Sequence, residues 1–296
     1  MSPYTFIVNP AAGQGTGSRI LDPLETELRS RRIPYDLVMT TGPGHATRAA
    51  RESTSANVVA VGGDGTVNEV ANGLLGSDKA LGILPAGSGN DFIKSVSIPS
   101  RLLPALAILL RGRGRVIDLG TVATDGGNSS SRLFVNGVGA GFDAAVAAKT
   151  RDIKYLSGIA LYLAAVFQTL GHYRAPVFTI DTGAPAPLVG RNLLIAIGNG
   201  QCAGGGFYLT PDALVDDGLL DACVVDEKNL LQILLLMPRV MLGKHHHVSG
   251  VKFLQSKQFT ITASAPFFVH ADGEIVGTNV LGVRLGIVPA ALRVIC

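Results

Sequence analysis

The sequence contains no Trp, only three Cys, and few charged residues, 16% of the chain. Each shortage closes off a class of protein. Cys202, Cys223 and Cys296 show no paired spacing and are odd in number, so neither a disulfide framework nor a zinc site is indicated, and a reducing cytoplasm is the expected setting. The net charge is +3 with Lys and Arg scattered along the chain. That leaves no basic stripe of the kind a nucleic-acid binder needs. Long apolar runs are missing too. Ile159 to Phe167 and Leu230 to Leu242 are interrupted by Gln168 and by Gln232, Pro238 and Arg239, and both fall short of the ~20 residues of a spanning helix. No transmembrane segment is expected. The start, MSPYTFIVNP, lacks a basic region followed by an apolar core and reads as a first strand, not a signal peptide.

What is present is apolar and rich in glycine: 47% hydrophobic residues and 37 Gly in 296 residues. A chain of that length can bury two cores. The first part alternates strands with helices: TFIVNP, then Ser18 to Arg31 with Leu21, Leu24 and Leu28 at helical spacing; YDLVMTT, then a helix from about His45; NVVAVGG, then Thr66 to Leu75; ALGILPA, then Leu102 to Leu110. Such alternation predicts a parallel sheet. After RVIDLG the texture turns β-rich, through LFVNGVGAGF, APVFTIDT, RNLLIAIGNG, GLLDACVV, KQFTITAS, PFFVHADGE and VLGVRLGIV, with helical stretches around Tyr155 to Leu170 and Leu230 to Met241. A second, mainly antiparallel domain is expected. The polar stretch Thr124 to Ser131 is the best linker candidate, giving a first domain over 1–122 and a second over 123–288.

Three glycine-rich turns leave successive strands of the first half. In GGDGT, backbone N–H groups of Gly62, Gly63 and Gly65 and a helix N-terminus converge where an anion is attracted. Glycine lets the backbone approach a phosphate closely, and Thr66 can cap the helix or donate its hydroxyl. Asp64 would repel a phosphate, so it calls for Mg²⁺ or an organising hydrogen-bond role. The turn PAGSGNDF offers Gly87, Ser88, Gly89 and Asn90, and NPAAGQGTG leaves the first strand from Asn9 without the Lys-Ser/Thr end of a P-loop. Any one of them is as easily a structural turn. Three at the carboxyl edge of one parallel sheet favour a phosphate-binding crevice.

In the second half, HADGE places Asp272 as a candidate general base for an acceptor hydroxyl. A plain Asp-Gly hairpin turn with Glu274 on the surface is the competing reading. PDALVDDGLLD packs four carboxylates, and Asp217 with the carbonyls of Leu214 and Leu219 could hold a divalent cation, although spacing alone favours a solvated acidic turn. Three adjacent histidines, His245 to His247, cannot easily share one ion and read as a polar loop. Leu230 to Met237 reads as a buried helix rather than a membrane contact, and CAGGGF at 202–207 as a loop.

Together IVNPAAG, GGDGTVNEV (62–70), LPAGSGNDF (84–92), NGVGAGFDA (136–144), DDGLLD and DGE (272–274) resemble the bacterial diacylglycerol kinase-like lipid kinases, related to sphingosine and ceramide kinases. The resemblance spans the whole chain. It implies an N-terminal α/β domain like those of phosphofructokinase and NAD kinase, a C-terminal antiparallel β-sandwich, ATP in a cleft between them, and a last segment, about 289–296, returning to the first domain. It implies nucleotide contacts from Asn9, Gly62 to Thr66, Glu69 and Gly87 to Asn90, with Asp272, Asp64 and Glu274 as catalytic residues. A structural Mg²⁺ would be held by Asp217, Leu214 and Leu219, and Asp64, Asp91 and Asp118 would organise a catalytic Mg²⁺. The acceptor would be a lipid reached by transient peripheral contact with a membrane, and the enzyme could be a homodimer. GSGNDFI stands where the family more often has GTGNDFA, which leaves acceptor preference open.

Two other functions fit parts of the pattern. A small-molecule kinase such as NAD kinase shares the GGDG turn but not Asn68-Glu69, GSGNDF and DGE in this order. A non-catalytic lipid- or nucleotide-binding regulator has no need for Asp64, Asp272 and Glu274.

Overall fold

A computed structural model describes residues 3–125, 131–150, 164–169 and 173–296. Two compact units divide the chain: residues 1–119 with 289–296, and residues 120–288. The division falls inside a strand, ahead of the polar stretch that looked like the linker; most of that stretch, 126–130, lies outside the described residues, as does most of the expected helix from Tyr155 to Leu170. Residues 164–169 of that expected helix are helical.

In the first unit, strands β1 (Tyr4–Val8), β2 (Tyr35–Met39), β3 (Asn57–Gly62) and β4 (Ala80–Pro85) pair in parallel in the order β4-β3-β1-β2. The final residues add one more parallel strand, Arg293 and Val294 pairing with Ala80 and Leu81. Val58 to Val61 are wholly buried and β4 is buried throughout. An unbroken apolar run of this kind belongs to a strand covered on both faces. β2 pairs on one side only and is half-buried, as an edge strand should be. Helices α1 (Ala12–Arg19), α2 (Leu21–Ser30), α3 (His45–Glu52), α4 (Asp64–Leu74), α5 (Phe92–Ser95) and α6 (Leu102–Arg111) fill the connections. Within α1, Gly13, Gln14 and Gly15 take left-handed backbone angles, so the glycine-rich turn read from the sequence survives inside the helix.

Strand β5 (Gly114–Thr124) leads into the second unit, where β6 (Arg132–Phe134), β7 (Gly137–Gly141), β8 (Val177–Asp181), β9 (Leu188–Gly198), β10 (Leu220–Asp226), β11 (Val251–Ser256), β12 (Gln258–Ala271) and β13 (Glu274–Ile295) pair antiparallel. Phe134, Phe178, Phe259 and Phe267 anchor its core. Besides the helical residues 164–169, α7 (Phe142–Thr150) and α8 (Leu230–Met241) lie in this unit. Asn229 caps α8: its side chain accepts from Gln232 N–H at 3.0 Å while Gln232 Oε1 accepts from Asn229 N–H at 2.9 Å.

The histidine run lies in a loop, as read, with His247 exposed and His245 the exception. Within that loop His245 is fully buried, with its ring 5.2 Å from that of Phe253 and Nε2 3.7 Å from Cys223 Sγ. Burial lowers the His245 pKa from the ordinary histidine value. A base held low in the folded state contributes its stability above the unfolded pKa, about 6.5, and loses it as pH falls below that. Denaturant midpoints should therefore drop between about pH 7 and pH 5, and His245→Leu should flatten that drop, while a substitution at exposed His247 should not.

Candidate active site

The three glycine-rich turns of the first unit meet. β3 ends at Gly62, Gly63 is extended, and α4 begins at once with Asp64, so the N-cap is Gly63 and not Thr66. Thr66 lies buried in the first turn, where its hydroxyl accepts from Asn9 Nδ2 at 3.2 Å. Asn9 also donates its backbone N–H to Val61 O at 2.9 Å and accepts from Ala11 N–H at 3.1 Å. The first turn is thereby fastened to the second. Contact with the third is closer: a Cβ on Gly63 would stand 3.1 Å from Gly87 Cα, and a Cβ on Gly87 would run into Gly63 Cα. Gly13, at φ +55°, leaves no room for a Cβ beside Ala86 O.

Asp64 takes the organising role. Its Oδ1 accepts from Asp91 N–H at 2.8 Å and Phe92 N–H at 3.1 Å, fixing the start of α5. Of the expected carboxylate trio, Asp64 reaches Asp91 through its backbone N–H, Asp91 pairs with Lys94 at 2.7 Å, and Asp118 accepts from Ala290 N–H at 2.7 Å. Asn90, at φ +49°, closes its own loop by accepting from Gly87 N–H at 3.0 Å and donating to Gly87 O at 2.7 Å, while Ser88 is exposed. The two oxygens of Glu69 accept from Gly44 N–H and Ala46 N–H at 2.9 and 3.0 Å, tying α4 to the start of α3. Removing the Asp64 carboxylate strands two amide donors. Asp64→Ala should lower unfolding free energy by about 2 kcal/mol, and Asp64→Asn, which keeps the accepting oxygen, by much less; urea melts of the two variants decide.

In the second unit, Asp272 and Gly273 form the two-residue turn between β12 and β13, both at positive φ, 47° and 80°, with Ala271 paired to Glu274. This is the hairpin geometry an Asp-Gly pair prefers. The turn aims the carboxylate at three backbone donors: Val135 N–H to Oδ2 at 2.8 Å, and Asn136 N–H and Gly137 N–H to Oδ1 at 3.0 and 2.8 Å. The Asp-Gly hairpin reading holds. Glu274 forms a half-exposed ion pair with Arg132.

Sequence reasoning passed over a neighbouring polar pair. His270 Nε2 lies 3.4 Å from Asp143 Oδ2, both side chains nearly buried, and both line a cavity of about 20 Å³ with Asn136 and Thr210. That volume suits one water. The available signals were the His before ADGE and the Asp within GAGFDA, neither of which shows its partner in one dimension.

In the acidic turn Asp217 is exposed and its Oδ1 accepts from Leu219 N–H at 3.0 Å. Among the described residues no three His, Cys, Asp or Glu side chains gather to hold a metal. A cation there would depend on carbonyls and water. Buried Asp221 nevertheless fits one nearby. Its Oδ2 has no hydrogen-bond partner among the described residues, and burial, with repulsion from Asp217 and Asp212, pushes its carboxyl up to about 6 against the hydrogen bond from Gln255. The oxygen-only donors suit a hard divalent ion.

Comparison with known proteins accounts for both halves. The diacylglycerol kinase catalytic domain family matches residues 3–122, and the YegS C-terminal NAD kinase beta sandwich-like domain matches 136–296. The chain is 34% identical over 287 residues to the "Probable lipid kinase YegS-like" of Klebsiella pneumoniae strain 342, covering 95% of this chain and 92% of that protein. It is 30% identical over 299 residues to a diacylglycerol kinase of Mycobacterium tuberculosis H37Rv, covering 98% and 94%. A crystal structure of a Bacillus anthracis diacylglycerol kinase shares the fold, with a TM-score of 0.69, 21% identity and coverage of 99% and 96%. The α/β domain with its phosphate-type turns and the β-sandwich-like domain with its Asp-Gly hairpin therefore place this chain in the family of bacterial diacylglycerol kinase-like lipid kinases.

Proposed function

We propose that the chain transfers the γ-phosphoryl group of ATP to the hydroxyl of diacylglycerol or a closely related lipid. The observation that carries this reading is the contact of three glycine-rich turns around the N-terminus of α4, where Asn9, Gly62, Gly63, Gly65, Thr66 and Gly87 to Asn90 leave backbone within reach of an anion. Gly63 and Gly87 let the second and third turns lie against each other, which a side chain on either would force apart. Asp64 keeps the third turn in place from within.

Asp272 acts as the base. Three amides hold its carboxylate in one orientation, which suits a largely dissociative transfer in which the proton leaves late and position outweighs basicity. Glu274 keeps the strand after the turn in register through Arg132. Mg²⁺ supplies charge neutralisation on the nucleotide phosphates when bound, and a second Mg²⁺ is assigned to Asp217 with the carbonyls of Leu214 and Leu219. No helix among the described residues is long and apolar enough to cross a membrane, and the enzyme is proposed to work from the cytoplasm on lipids at a membrane surface.

The test is phosphoryl transfer from radiolabelled ATP and Mg²⁺ to diacylglycerol, monoacylglycerol, sphingosine, ceramide and phosphatidylglycerol, with NAD as the control acceptor. Label in diacylglycerol above the other lipids is the expected result. Label in NAD alone, or in none of them, would sink the proposal.

A further inference from the structure

Helix α8 buries only one face. Ile233 packs in the cluster of Phe142, Val166 and Leu193, and Leu236 and Val240 pack in that of Cys223 and Val225. On the other side Leu230, Leu231, Leu234, Leu235, Met241 and Leu242 are exposed, Leu231, Leu235 and Leu242 to 66%, 65% and 68%. The sequence reading of a buried helix holds for half of it. At 100° per residue these six positions cover an arc of about 140°, opposite the buried one. Exposed apolar residues scattered singly need no explanation, whereas six on one helix face do.

The surroundings name the partner. Residues 230–242 contain no carboxylate. Arg239 is exposed beside the apolar arc, and Lys244 is exposed just past the end of the helix. An apolar stripe without a carboxylate of its own and with two cations toward its C-terminal end, exposed Glu227 lying ahead of its start, complements a bilayer with anionic headgroups. It is also the surface an enzyme with a lipid acceptor requires, and on that family activity the inference rests. We infer that α8 docks the protein on membranes, lying in the headgroup plane with the leucines at the acyl boundary and Arg239 and Lys244 against anionic headgroups.

The experiment is co-sedimentation of the full chain with vesicles of phosphatidylcholine, with and without phosphatidylglycerol. The wild type should pellet with the mixed vesicles. Leu231→Gln/Leu235→Gln should weaken that partition at least about tenfold. Arg239→Gln/Lys244→Gln should weaken it only where phosphatidylglycerol is present, and remove its dependence on salt. All these side chains are exposed, so unfolding midpoints should hold, and turnover of a short-chain diacylglycerol dispersed as monomers should stay at the wild-type rate. A wild type that ignores every vesicle, or a leucine variant that partitions undiminished, overturns the assignment. So does a wild-type dimer that the leucine substitutions split without altering vesicle binding, which would give this face to a second copy. Absence of short-chain turnover in the wild type would count against the proposed reaction while the vesicle result stands on its own.

Discussion

Asp272→Asn should cut lipid phosphorylation by about two to four orders of magnitude, the range general-base removal typically costs. ATP affinity should stay within a few fold, since the nucleotide turns belong to the other unit. The variant also carries a structural penalty with a definite origin. An amide in place of the carboxylate can still accept from Asn136 and Gly137 with its oxygen, but its NH₂ then faces the Val135 N–H donor. One buried donor left without an acceptor costs about 1–3 kcal/mol. Turnover, ATP binding and thermal unfolding measured on one preparation separate the two effects. A modest stability loss with wild-type turnover would leave Asp272 a structural hub and remove it as the base.

The second large effect is expected at Gly87. A Cβ there would collide with Gly63 Cα and stand 2.9 Å from Asn90 Oδ1. Because the first obstacle is backbone, no rotamer change relieves it, and the two turns must separate. Gly87→Ala should weaken ATP binding at least about tenfold and destabilise the fold by about 1–3 kcal/mol, the usual range for overpacking. Gly63→Val should act in the same direction, since its Cβ already lies 3.1 Å from Gly87 Cα. Ser88→Ala, at the exposed position next to Gly87 in the third turn, is the stability control and should change stability little. Calorimetric titration with ATP measures the effect, and a wild-type affinity for Gly87→Ala would remove the contact between turns from the nucleotide site.

Most of the local structure is legible in one dimension. The runs Phe6 to Val8 and Val58 to Val61 are apolar without alternation, as strands covered on both faces must be, and glycine follows wherever the chain turns sharply. The Asp272-Gly273 hairpin is equally local, because two residues at positive φ are enough to define it. Missed boundaries also have local causes. The helix after β3 was read from Thr66 because GGDG looks like a turn, yet Gly63 alone completes the reversal and Asp64 is already helical. His245 was read as polar because its neighbours are, and its burial beside Phe253 comes from a strand that begins only at Val251.

The sequence by itself determined two domains, a parallel sheet followed by antiparallel strands, and three glycine-rich turns, because apolar periodicity and glycine's backbone freedom act within a few residues. Only the tertiary structure decided that Asp64 reaches the amides of Asp91 and Phe92, that Asp272 meets donors 135 to 137 residues away, that Glu69 serves α3, and that half of α8 stays uncovered. Those outcomes depend on which surfaces pack together, and no window of sequence contains both sides of such a contact.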